Sequence, residues 1–97
     1  MPDYILLMRG DLSGPEEGWP AYLDRLHASG QFRGGSTIGP GAAHRKGDPP
    51  QSLGSEIVGF VRIEADDLAA AEAFVAGNPV YEAGGTVEVR LLPADDA

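Results

Sequence analysis

Ninety-seven residues make one domain of modest size, with a core too small to leave much burial to spare, so self-association is a natural source of further stability. Fifteen acidic against seven basic residues give a formal net charge of −8, which opposes binding to nucleic acid or an anionic membrane surface because both depend on Lys and Arg. The chain has no cysteine, which excludes a disulfide framework, thiolate catalysis and cysteine metal sites, and it suits a reducing cytoplasm.

Met1 to Gly10 holds only the short apolar run Tyr4 to Met8, with Asp3 before it and Arg9 after it, which fits neither a signal peptide nor a membrane span. Tyr4 to Arg9 is apolar on both faces of an extended chain, the pattern of a central strand. Ser13 stands three residues before Glu16 as in a capping box, and Trp19, Tyr22, Leu23 and Leu26 recur at helical spacing before Gly30. The spacing predicts a helix over 16–29, with Pro20 confining its regular part to the stretch from about Gly18 onward.

Phe32 to Pro40 carries too many glycines for a regular strand, yet Thr37 and Ile38 favour extension, so an edge strand with a bulge is expected. Gly41 to Gly54 reads as a loop or a hairpin extension turning at Gly47-Asp48, with His44-Arg45-Lys46 as its basic stretch. Ser55 to Ala65 is a second central strand. Ile57, Val61 and Ile63 fall on one face of it and Val58 and Phe60 on the other. Asp66 or Asp67 then caps a second helix in which Leu68, Ala71, Phe74 and Val75 share a face, ended by Gly77-Asn78-Pro79. Thr86 to Leu92 alternates apolar with charged residues as a half-solvated edge strand, and 93–97 forms a short acidic tail, expected to be mobile.

The order β-α-β-β-α-β implies an α+β, ferredoxin-like fold. It has a four-stranded antiparallel sheet, order 4-1-3-2, with both helices on one face. The other face of the two central strands then needs cover from outside the monomer. A second copy packed sheet to sheet about a two-fold axis supplies it, so a homodimer through the helix-free face is expected.

The chain resembles the YCII-related family, in the branch that includes the DGPF-domain proteins. The resemblance rests on Tyr4 to Asp11, Trp19 to Gly35, Ile57 to Phe60 and Gly84 to Arg90, whose order and spacing cover nearly the whole chain. It implies a dimeric α+β barrel, in which two ferredoxin-like sheets face each other. It also implies a small organic ligand held between sheet and helices, with lyase or isomerase-like acid-base chemistry. The alternative is a non-catalytic module for ligand or protein binding on the same fold. Family members carry a His on the first helix and an Asp beside a Pro after the second. Matching flanks place Tyr22 and Asn78 at those positions, and neither a Tyr of ordinary pKa nor an Asn replaces a His-Asp pair at neutral pH. Asp48-Pro49-Pro50 stands where the DGPF-domain proteins have Asp-Gly-Pro-Phe.

The ligand-binding candidates are therefore Arg9 and Asp11, at the end of the first central strand, together with Tyr22, Ser36 and Asn78. Ser36 has no base beside it and no nucleophile elbow, and Gly34-Gly35 leads into a strand, so hydrolase and nucleotide-binding readings drop out. His27, in the last turn of the first helix, is accounted for by the helix dipole, and two histidines without ligand spacing give no metal site. No cofactor is expected. Arg62, Glu88 and Arg90 are expected as cross-strand charge pairs at the dimer seam.

Overall fold

The computed structural model describes residues 1–53 and 56–94. Gly54 and Ser55, at the entrance to the second central strand, and the tail residues Asp95 to Ala97 lie outside the described residues. The elements run β1 (Asp3–Arg9), α1 (Trp19–Ser29), β2 (Phe32–Thr37), β3 (Gly41–Ala43), β4 (Gln51–Leu53), β5 (Ile57–Glu64), α2 (Leu68–Glu72), α3 (Pro79–Glu82) and β6 (Val87–Leu92).

The main sheet is four-stranded and antiparallel, ordered β2-β5-β1-β6. Its two central strands, β5 and β1, are the stretches apolar on both faces. The expected order 4-1-3-2 counted four strands in all. Gly41–Ala43 and Gln51–Leu53 add two more, which pair only with each other as a separate hairpin, so in chain numbering the sheet reads β6-β1-β5-β2. The hairpin turns through Gly47 at φ 93°, with the Asp48 amide donating to the Arg45 carbonyl at 3.0 Å.

Register fixes what each face carries. Tyr4, Leu6 and Met8 stand opposite Ile63, Val61 and Gly59 on β5 and opposite Leu91, Val89 and Val87 on β6. These residues form the face that meets the helices, and Leu6, Ile63 and Leu26 of α1 are fully buried there. Ile5 and Leu7 stand opposite Arg62 and Phe60, and opposite Arg90 and Glu88, on the helix-free face.

β2 is irregular, as its glycines suggest. Its register with β5 shifts between Phe32 and Gly35, where Gly34 adopts φ 104°. At Gly35 the backbones approach so closely that a β-carbon would stand 2.5 Å from the Phe60 carbonyl oxygen.

α1 begins at Trp19, at the Gly18 boundary expected for its regular part, because Gly18 at φ 91° turns the chain into the helix and Pro20 occupies its first turn, where no amide hydrogen bond is lost. Two expectations need correction. Ser13 does not cap α1; its hydroxyl donates to the Ala83 carbonyl at 3.2 Å. The second helix is broken. Asp67 caps α2 by accepting from the Ala70 amide at 2.8 Å, but α2 ends at Glu72. Phe74, Val75 and Asn78 then donate to carbonyls three residues back, and the chain re-enters a helical turn only at Pro79.

Candidate functional site

A cleft of about 320 Å³ lies between α1 and the β2-β5 side of the sheet. Met8, Gly59 and Val61 supply its floor from the central strands. Trp19 and Leu23, one helical turn apart on α1, form one wall, and Gly35, Ser36 and Thr37 of β2 form the other. Phe32, Val58 and Val80 complete the apolar lining, and β5 borders it through its backbone at Phe60, whose side chain lies on the helix-free face. The size is at the lower end of small-molecule pockets, roughly 300 to 1,000 Å³.

The local sequence sets how closely the floor of the cleft packs. Gly59 presents no side chain to the floor, and a β-carbon there would stand 3.0 Å from the Met8 methyl and 3.2 Å from the Ser36 carbonyl oxygen. The neighbouring Met8 and the β2 backbone thus take up the room that the missing side chain leaves. Trp19 is half-buried and packs edge-on against Tyr22, with ring centroids 5.7 Å apart. Its indole nitrogen donates to Glu16 Oε1 at 2.6 Å, which holds the segment before α1 against the helix. Ser36 Oγ donates to the Thr37 carbonyl at 2.8 Å.

Of the five candidate residues, Ser36 borders the cleft, through its backbone, since its register opposite Phe60 sets its side chain on the other face of the sheet. Tyr22 and Asn78 come together behind it. Tyr22 is buried and donates its hydroxyl to the Phe74 carbonyl at 2.7 Å, with the Arg25 guanidinium 5.4 Å from its ring centroid. Burial pushes its phenol above the usual range, with the Asn78 side chain and Arg25 acting in the opposite direction, so the ring stays neutral at physiological pH. Asn78 is fully buried. Its Oδ1 accepts from the Val80 and Tyr81 amides at 3.0 and 3.2 Å, capping α3, and its Nδ2 donates to the Met8 sulfur at 3.4 Å. These contacts occupy the polar atoms of both side chains in holding structure together, and no buried side-chain polar atom among the described residues lacks a partner.

Arg9 and Asp11 go elsewhere. Arg9 donates through Nε and Nη2 to Glu88 Oε2 at 3.0 and 2.7 Å, an ion pair on the helix-free side of the sheet that holds the guanidinium above its ordinary pKa. Glu88 lies farther from Arg90, at 3.9 Å, so both Glu88 and Arg90 take part in charge pairing there. Asp11 accepts from the Thr86 amide and hydroxyl at 2.8 and 2.7 Å, contacts that lower its carboxyl pKa and pin the end of β1 to the start of β6.

Glu16, Trp19, Leu23 and Thr37 were not among the sequence candidates. Their spacing had a sufficient reading as cap, helix face and strand, and only the packing of α1 against β2 brings them together. Among the described residues no cluster of three or more His, Cys, Asp or Glu side chains is placed to hold a metal. None of their helices is long and apolar enough to cross a membrane.

The family model of the YCII-related domain matches residues 16–94. No protein of curated function matches the chain.

Proposed function

The chain belongs to the YCII-related family, and from that premise we propose that it is a ligand-binding protein whose α1-β2 cleft takes a small apolar organic molecule, without acid-base catalysis by Tyr22 and Asn78. The observation that carries this reading is the cleft itself: a concave apolar space on the floor of the central strands with a few polar groups at its edges. The two side chains at the family's acid-base positions are bound into the core. A neutral buried phenol donating to a backbone carbonyl, and an amide capping a helix, have no proton to exchange with a ligand near pH 7.

The assembly belongs to the same reading. The chain is a ferredoxin-like unit of a dimeric α+β barrel, in the DGPF branch of the family. Its homodimer forms through Ile5, Leu7 and Phe60 on the helix-free face, with Arg62, Glu88 and Arg90 around them. What supports this is the face itself, which presents apolar side chains from both central strands while the helices cover only the opposite side.

Trp19 is the single tryptophan, so its indole N–H resonance reports directly on the cleft. Titration with 2-phenylethanol is expected to shift that resonance saturably in the wild type. The shift should be lost in Thr37→Phe, whose ring fills the space. An indole signal that never moves, or that moves equally in the filled variant, rejects the cleft as the binding site.

A further inference from the structure

We propose that the cleft selects amphiphilic amines, an apolar body of about one ring carrying a protonated nitrogen, over carboxylates of the same size. This inference rests on the cleft being a ligand site and adds the charge of the ligand. Its first support is the composition of the wall: among the described residues Glu16 is the only charged residue of the lining, and no Lys, Arg or His joins it.

The second support is the state of that carboxylate. Glu16 is exposed on the segment leading into α1, and its hydrogen bond among the described residues is the one it accepts from the Trp19 indole through Oε1. No ion pair among the described residues involves it. Oε2 is therefore free to meet a donor. The bond to Trp19 fixes the negative charge at the edge of the indole, on the wall of the cleft. An ammonium placed there gains a charged partner, while its apolar part reaches Leu23, Val61 and Met8.

The third support is the field of the whole chain. A net charge of −8, with Glu17 next to Glu16, raises the local concentration of cations and repels anions at this mouth. An anionic ligand would have to enter an apolar cleft past a carboxylate with no guanidinium or ammonium among the lining residues to receive it.

Three probes of nearly equal size separate the cases: 2-phenylethylamine, 2-phenylethanol and phenylacetate, each titrated against the Trp19 indole resonance at pH 7 and low salt. The amine is expected to bind at least about fivefold more tightly than the alcohol, as one charge-assisted hydrogen bond implies, and phenylacetate more weakly than either. Glu16→Gln keeps an acceptor for the indole and removes only the charge. It should erase the amine preference, bringing the affinity for the amine to that for the alcohol in the same variant. Equal affinities for the three probes, or an amine preference that survives Glu16→Gln, overturn the charge selection while leaving the cleft as a site. Failure of all three to bind the wild type overturns both readings.

Discussion

The Asn78 amide nitrogen donates to the Met8 sulfur at 3.4 Å, tying the cap of α3 to central strand β1 across the core. Because Asn78 is fully buried, each of its side-chain atoms must keep a partner or leave a buried polar group unsatisfied. Asn78→Ala removes the cap and opens a small void, and is expected to cost about 2 to 3 kcal/mol in chemical denaturation. Asn78→Asp makes a sharper test. One oxygen keeps the cap, but the other faces a sulfur with nothing to donate, so burial raises the pKa of the introduced carboxyl above its unfolded value. A raised folded pKa means the folded state holds the proton more tightly. The variant should therefore approach wild-type stability below about pH 4 and fall away from it as pH rises through the folded value. A stability deficit independent of pH would show that the position tolerates charge and is not closed as described.

Tyr22 is expected to behave as a structural residue. Its hydroxyl donates to the Phe74 carbonyl, where α2 has already ended, and so holds the irregular chain against α1. Tyr22→Phe removes that donor and leaves the carbonyl with only a distant Arg25 contact at 3.5 Å. The loss should be about 1 to 2 kcal/mol of unfolding free energy. The Trp19 response to 2-phenylethanol should be unchanged within error, since Tyr22 does not line the cleft. Near-normal stability with abolished binding would reverse this assignment and put the hydroxyl at the ligand.

The strands were the most readable part of the chain, for a physical reason. Tyr4 to Arg9 and Ile57 to Glu64 are apolar on both faces, which identifies interior strands without reference to any partner. Gly34 and Gly35 likewise announce an irregular edge in β2 before its partner is known. The break between α2 and α3 was hidden because Leu68, Ala71, Phe74 and Val75 keep a helical spacing. The chain tightens after Glu72 into three-residue hydrogen bonds that preserve the apolar side while ending the α-helix. The cleft was hidden more completely. Trp19 and Thr37 meet only because α1 lies over β2, and nothing local to either residue records that crossing. Ser36 was found, but as one polar residue in a Gly-rich strand and without the wall opposite it.

Acid stability should depend on two carboxylates at opposite ends of the sheet. Asp11 is held below its ordinary pKa of 3.8, first by the Thr86 hydroxyl and then by the Thr86 amide, and Glu64 below 4.5 by its bond to Arg33. For a carboxyl depressed in the folded state, the stabilisation is complete above the unfolded pKa and is lost as pH falls through the folded one. Unfolding midpoints should hold steady from neutrality down to about pH 5 and then decline through the carboxylate range. Asp11→Asn should flatten the part of that decline that belongs to the β1-β6 end, and Thr86→Val should do the same by removing the hydroxyl. A decline with the same slope in the wild type and in Asp11→Asn would assign the acid sensitivity to other groups.

The helix-free face carries the last prediction, because Leu7 and Phe60 stand opposite each other there on the two central strands. A charge introduced between them would be buried without a partner in a sheet-to-sheet dimer, but would be solvated in a monomer. Phe60→Glu should accordingly convert a dimer into a folded monomer in sedimentation equilibrium at micromolar concentration, with its far-ultraviolet circular dichroism retained. The core on the other face, built on Leu6, Ile63 and Leu26, does not include Phe60, so the monomer should remain folded. Thermal stability should become independent of protein concentration in the variant while rising with concentration in the wild type, because association stabilises only the folded chain. A wild type that sediments as a monomer at the same concentration would remove the partner sheet from the reading and leave the apolar face to be explained in another way.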